Sequence, residues 1–400
     1  MPGSRLLSLV FVAAMASGPC CALAADALSP RALADAALQD LAGAFWTGDL
    51  DTGHLRKNAM LPDQGTGIWE HAQALMAFYW SCKYLGDCVS GQRVAAEWRW
   101  LKAQTPDPAD FAVCGPGAKY NFESDDTGWD TGLYLAAYDV TGDPAALAAA
   151  EQSLDHAWQL WWDTALGGGY WYDMKRSDKT SYQAVLTLDN EWVWRLTGIP
   201  RFHERAIASE RWAVEKLRRD DGLYWNGMRR GGKLPEERIR YLIKPSQSVT
   251  MIVGNMAQAV VEVWLYEDTR DLSYLARARG TALGIRTYEV NHDGALINDQ
   301  DGYTDGWAMA PFAREVTPRL SPADRAAWAA TLRASALAVR NRDRQPNGTY
   351  GADWDGPLRG GPWESKKTEP VTQPSQVSVS GGAVNVILSD AVLPQSSPSR

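Results

Sequence analysis

Along the chain one pattern of positions recurs: a run that is apolar nearly all round, a short turn, then a run with a single wet face. Gly132-Leu133-Tyr134-Leu135-Ala136-Ala137-Tyr138 and Val260-Val261-Glu262-Val263-Trp264-Leu265-Tyr266 are of the first kind, as helices buried on most faces must be. Phe202 to Leu217 and Ala145 to Trp162 are of the second kind and read as outer helices. The turns fall at Leu85-Gly86-Asp87, Thr141-Gly142-Asp143-Pro144, Thr197-Gly198-Ile199-Pro200 and Thr269-Arg270-Asp271-Leu272, with the two prolines where a new helix can begin. Gly86, Gly142 and Gly198 are spaced by 56 residues. Inner candidates at Asp305 to Val316 and Gln376 to Leu388, a starting helix near Ala32 to Phe45 and an outer one at Ala323 to Arg340 bring the count to about six pairs. Six inner helices within six outer ones predict an all-α (α/α)6 toroid, one domain over residues 25–392 with a frayed tail at 393–400.

A second repeat lies between each outer helix and the next inner one: Gly167-Gly168-Gly169-Tyr170-Trp171, Asp221-Gly222-Leu223-Tyr224-Trp225, Asp293-Gly294-Ala295-Leu296 and Asn347-Gly348-Thr349-Tyr350. In a toroid these connections fall on the face where inner helices start, so their aromatics are expected to ring one mouth of the central cavity. The plain alternative is that they plug gaps between hairpins.

Composition sharpens this picture. The chain has 19 Trp and 15 Tyr against 7 Phe, a skew toward rings with a polar handle, which suit sugars. With 48 acidic and 40 basic residues the net charge of -8 offers no footprint for nucleic acid. Arg5, the apolar run Leu6 to Ala16 and Ala22-Leu23-Ala24 read as a signal peptide over 1–24, so a secreted or periplasmic protein is expected, with no membrane insertion once the signal is removed. Cys20 follows Ser17-Gly18-Pro19, a poor lipoprotein context. Cys82, Cys88 and Cys114 then remain; Cys82 and Cys88 bracket a turn and are the first guess for a bridge, with Cys114 able to pair with either and buried thiols the alternative. No Cys/His spacing resembles a zinc site, and the Asn298-Asp299-Gln300-Asp301-Gly302 stretch lacks the closing acid of an EF-hand, where Ala308 stands. No cofactor or metal is expected, and a monomer is favoured.

The chemistry is expected at Glu123-Ser124-Asp125-Asp126-Thr127-Gly128-Trp129-Asp130, which opens the second inner helix at the mouth. Neighbours on a regular helix point about 100° apart, so an irregular junction with Ser124 as N-cap is expected to let Asp125 and Asp126 reach one substrate. Adjacent Cα atoms about 3.8 Å apart suit the roughly 5–5.5 Å carboxyl separation of retaining glycosidases. Helix starts also attract acids for dipole reasons alone. Trp69, Glu70 and His71 open the first inner helix at the same mouth, Trp69 as a sugar platform or as core. Asp301 and Asp305 are read as substrate contacts or as a solvated turn.

The chain resembles glycoside hydrolase family 76, the secreted α-1,6-mannanases, over most of its mature length. The resemblance rests on Asp125-Asp126-x-x-Trp129 followed by Leu135-Ala136-Ala137-Tyr138 and Thr141-Gly142-Asp143-Pro144, on Gly167-Gly168-Gly169-Tyr170-Trp171, and on Asp301-Gly302-Tyr303. It implies an (α/α)6 barrel, with Asp125 as nucleophile and Asp126 as acid/base. The sequence departs from the family at Ser181-Tyr182-Gln183-Ala184 and Val253-Gly254-Asn255-Met256, where the family has an Asn-Ala stretch and Tyr-Asn-Gln-Gly. Tyr182, Gln183 and Asn255, with Trp129, Tyr170, Trp171 and Trp225, complete the expected substrate-binding set; Gln183 and Asn255 serve as hydroxyl partners or as caps. The leading expectation is a retaining endo-glycosidase on α-1,6-linked mannan-type polysaccharide. A transglycosylase, an (α/α)6 hydrolase of another glycan and a non-catalytic glycan-binding protein are the alternatives.

Overall fold

The computed structural model describes residues 28–59, 68–104, 124–232, 252–297, 307–351 and 377–394. It contains α1 (Pro30–Phe45), α2 (Ile68–Leu85), α3 (Cys88–Gln104), α4 (Ser124–Thr141), α5 (Pro144–Trp161), α6 (Gln183–Thr197) and α7 (Pro200–Lys216). Then follow α8 (Ile252–Thr269), α9 (Leu272–Tyr288), an irregular α10, α11 (Pro322–Ala338) and α12 (Val377–Ala391). Helix α10 is built from an α turn (Met309–Pro311), a π turn (Phe312–Val316) and a 3-10 turn (Thr317–Arg319). Pro311 and Pro318 have no N–H to donate, so this segment cannot carry an unbroken α ladder.

Helices α2, α4, α6, α8, α10 and α12 pack each against the next, and α12 closes on α2. The remaining six lie outside them, α3, α5, α7 and α9 each against the inner helix that precedes it and α1 and α11 against α12. The fold is the expected (α/α)6 barrel. Inner helices are buried nearly throughout: every residue of α8 from Ile252 to Leu265 is buried.

The turn chemistry works as the sequence implies. Thr141, Thr197 and Thr269 each donate their hydroxyl to the carbonyl four residues back and accept an N–H two residues on. Gly86, Gly142 and Gly198 then take positive φ (70°, 68° and 69°), and Arg270 adopts φ 64° in the fourth turn. Asp143 and Asp271 cap the outer helices α5 and α9, accepting from Ala145 and Ser273.

Two small antiparallel pairs decorate the barrel: β1 (Trp46–Thr47) with β2 (His54–Leu55), and β3 (Asp178–Thr180) with β4 (Gly227–Arg229). The barrel is plugged at the ends of its inner helices by an aromatic cluster, in which Trp80 stacks on Tyr84 and Trp192 at 5.2 and 5.8 Å and Trp192 meets Trp264 edge-on at 6.3 Å. Among the described residues no helix is long and apolar enough to cross a membrane. Residues 1–27, Cys114 and 395–400, and with them most of the expected tail, lie outside the described set; Leu393 packs on the core. Cys82 and Cys88 are free thiols rather than a bridge.

Candidate functional site

Helix α4 begins at Ser124, whose N–H donates to the Tyr172 carbonyl at 2.7 Å. Ser124 is helical rather than a cap, and Asp125 and Asp126 lie on consecutive helical positions instead of the expected irregular junction. Asp125 is buried and Asp126 half-buried. The N–H groups of this turn favour a carboxylate. One turn deeper, four residues after Asp126, Asp130 is 2% exposed, and its Oδ1 has no hydrogen-bond partner among the described residues. Burial, then the charges of Asp126 and Glu70, push Asp130 well above the usual carboxylate range, which favours its protonated form.

The start of α2 supplies the neighbouring wall. Glu70 pairs with Lys57 at 2.5 Å, and His71 Nδ1 lies 2.7 Å from Glu97 Oε1, whose other oxygen accepts the Leu55 N–H. Trp69 falls in the first turn of α2. The floor is aromatic. Trp307, 0% exposed, reaches across the ring to meet Trp129 edge-on at 5.2 Å, and a Cβ at Gly132 would lie 3.4 Å from its ring and 3.7 Å from Asp189. Asp189 is fully buried with both oxygens unpartnered among the described residues, and burial pushes its pKa well up.

The expected substrate-binding set divides on this geometry. Trp129 is floor packing, 1% exposed. Tyr170 and Trp171 are buried plugs, Trp171 donating its indole N–H to Asp163 at 2.6 Å. Gln183 and Asn255 are structural clamps: their side-chain oxygens accept the N–H of Tyr170 and Tyr224 at 3.0 and 2.8 Å. Ser380 holds Tyr350 in the same way at 3.0 Å. Tyr182 is buried, 6.4 Å from the Tyr172 ring in a stacked pair. The recurring aromatics after each tight turn thus fix the hairpins together instead of ringing a cleft. Trp225 is half-buried with the Arg219 guanidinium 4.4 Å from its ring, and it alone of the expected aromatics with a described side chain keeps an accessible face. Asp301 and Asp305 lie outside the described residues.

Sequence reading had not assigned Asp130 or Asp189 a role. Their signal was available: an ionisable residue in the middle of a helix that is apolar all round. Among the described residues no group of three or more His, Cys, Asp or Glu side chains is arranged to hold a metal ion.

A closed (α/α)6 barrel with a cluster of carboxyls over an aromatic floor is the class of molecule these features define. No protein-family model matches the chain, and no curated protein matches it by sequence. Solved structures do match. The GH76A α-1,6-mannanase of Salegentibacter sp. HEL1_6 is similar with a TM-score of 0.71 at 15% identity, over 92% of this chain and 100% of its own. A variant of that enzyme described as inactive, with two consecutive aspartates changed to asparagine and α-1,6-mannotriose bound, gives the same TM-score and coverage at 14% identity. Dfg5 from Chaetomium thermophilum, in complex with glucosamine, is similar at a TM-score of 0.59 and 16% identity, over 91% of this chain and 89% of its own. The fold is the one found in glycoside hydrolase family 76, as the sequence resemblance implies.

Proposed function

We propose that the chain is a retaining glycosidase of the family 76 type, exported by residues 1–24, which hydrolyses α-1,6-mannosidic bonds within a mannan-type polysaccharide. The observation that carries this reading is the consecutive Asp125-Asp126 pair in the first turn of the second inner helix, at the mouth of the barrel. The related inactive mannanase variant differs from its parent at just such a consecutive pair.

In this reading Asp125, ionised and favoured by the N-terminus of α4, attacks the anomeric carbon. The bond to the leaving oxygen breaks as Asp126 gives that oxygen its proton. Asp126 then takes a proton from water, whose oxygen displaces Asp125 and releases the sugar with its configuration retained. The two carboxyls need different ionisation states at one pH, which close like charges favour. The upward shift of Asp130, a turn below, works against a third negative charge beside the pair. The aromatic floor closes the cavity beneath the reacting bond.

The test is to incubate the purified chain, Asp125→Asn and Asp126→Asn with linear α-1,6-mannan and follow products by proton NMR. Retained α-products from the native chain alone are expected. Inverted products sink the assigned roles, and transfer to an added mannoside in place of water turns the reading to a transglycosylase.

A further inference from the structure

The Gly167-Gly168-Gly169 run follows a conformation that few sequences tolerate. Leu166, Gly167, Gly168 and Gly169 all have positive φ (61°, 88°, 122° and 86°). Glycine accepts this region freely, whereas a leucine there is strained. A Cβ at Gly169 would also lie 2.6 Å from the Trp212 ring. The winding aims carbonyls inward. The oxygens of Ala165, Gly168 and Gly169 converge on Lys179 Nζ at 2.8, 2.6 and 2.9 Å, joined by Asp163 Oδ1 at 2.8 Å and the Asp163 carbonyl at 3.3 Å.

The Lys179 side chain is fully buried, and the Trp171 ring lies 4.7 Å from Nζ. Each of the five oxygens can only accept, so the amine carries all three protons as an ammonium. Burial pulls its pKa down and Asp163 pulls it back up. Asp163 is held in turn: its Oδ2 accepts from the Trp171 indole at 2.6 Å and from Arg176 at 3.2 Å. Three of the contacts, at 2.8–2.9 Å, match charge-assisted N–H···O bonds and exceed the roughly 2.0–2.6 Å of magnesium and calcium to oxygen. The cage is sized for an ammonium group.

The same strand leads to the acid pair. Trp171 bridges to Lys179, and the Tyr172 N–H donates to the Asp178 carbonyl at 2.7 Å. The Tyr172 carbonyl accepts the Ser124 N–H at 2.7 Å, one residue before Asp125.

We propose that Lys179 is a tethered cation, whose ammonium organises the oxygen cage of residues 163–169 and thereby fixes the Tyr172 carbonyl that anchors the Asp125-Asp126 turn. Emptied of its lysine, the cage binds a small alkylammonium ion. Lys179 is a positioning residue, and only the turnover arm of the test rests on the glycosidase reading.

The experiment is hydrogen–deuterium exchange by mass spectrometry on the full chain, Lys179→Ala and Lys179→Met, with and without n-propylammonium. That ion restores the three carbons and the nitrogen that truncation to alanine removes; tetramethylammonium, which has no N–H, is the control. Exchange is expected to rise in both 163–172 and 124–130 in both variants. Propylammonium should return both segments to native protection in Lys179→Ala, and not in Lys179→Met, whose own side chain fills the channel. Mannan turnover is expected to fall about 100-fold and to recover in parallel through kcat, with KM little changed. Folded Lys179→Ala that propylammonium leaves unchanged overturns the cage, and native protection of 124–130 in either variant overturns the link to the acid pair. Should Lys179→Ala fail to fold, native exchange in Lys179→Met at both segments overturns the proposal. Restored protection without turnover by any form, native included, leaves the cage standing and removes the glycosidase reading.

Discussion

At the mouth, where the inner helices begin, carboxyls gather near one another: Asp125 and Asp126 on the first turn of α4, Asp130 below them, and Glu70 beside them. Where those helices end, several carboxylates face cations. Asp139 meets Lys83 at 3.0 Å and the Tyr79 hydroxyl at 2.7 Å, Arg195 meets Glu267 and Asp268 at 2.9 Å each, and Arg319 also binds Glu267. The acids of the mouth and the cations of the far end both follow the helix dipole, which favours anions at N-termini and cations at C-termini, whereas Asp139, Glu267 and Asp268 stand against it in the last turns of α4 and α8. The two ends differ in how their charges are paired. The far end is neutralised and sealed by rings, an arrangement that stabilises. The mouth crowds acids and leaves one oxygen of buried Asp130 without a partner among the described residues, which costs stability and is expected where chemistry outweighs packing.

The largest effect expected from breaking this contrast is on turnover at the mouth. Asp125→Asn and Asp126→Asn each lower it by about 1000-fold or more, with thermal unfolding unchanged or raised. A comparable loss for an alteration at the far end would erase the distinction. Next is the floor between the two ends: Trp307→Ala leaves a cavity against Trp129 and Gly132 and costs about 3–5 kcal/mol in denaturant unfolding.

Asp130→Asn keeps the shape of the side chain and removes the buried acid, and is expected to stabilise the fold by about 1–3 kcal/mol at pH 7. The sign follows from linkage. A carboxyl raised in the folded state holds its proton there while the unfolded chain has lost it, so stability falls as pH rises from the ordinary carboxylate range through the folded value. The advantage of Asp130→Asn over the native chain must therefore grow with pH; an advantage that shrinks contradicts the upward shift of Asp130. Glu262 calibrates the measurement. Burial, then the charge of Glu210, raise it to about 8, with the Tyr224 hydroxyl donating to it at 2.5 Å. Between about pH 4.5 and 8 it contributes a downward slope of up to about 1.4 kcal/mol per pH unit, which Glu262→Gln removes.

The helices and their turns were legible because their causes are local. Apolar periodicity, the threonine hydroxyls and the glycines at positive φ act within a few residues of one another, and the 56-residue spacing of Gly86, Gly142 and Gly198 exposed the repeat. The acid pair was legible as chemistry, but its setting was not, since Ser124 is held by the Tyr172 carbonyl from another hairpin. The aromatics misled for the same reason. Tyr170 and Tyr224 look like cleft residues until Gln183 and Asn255 are seen to bind their N–H groups from the next inner helix. Trp307 crossing to Gly132 is a contact across the fold, and Lys179 entering the glycine loop 11 residues back depends on how the connection folds on itself; no local pattern announces either.

The smallest effect belongs to the far end. Lys83 and Asp139 are each about a third exposed, at 33% and 32%, so water and salt screen the pair and a long side chain must be ordered to make it. Lys83 also stands 5.2 Å from the rings of Tyr79 and Trp192, and a methionine of similar length keeps that packing while losing the charge. Lys83→Met is thus expected to cost less than about 1 kcal/mol, to cost less still at high salt, and to leave mannan turnover unchanged. A larger loss that persists in salt would mean that the Tyr79 hydroxyl, bonded to both partners, requires the ammonium to satisfy it. The far end would then be a desolvated network like the cage around Lys179, and the contrast between the two ends would rest on pairing alone rather than on exposure.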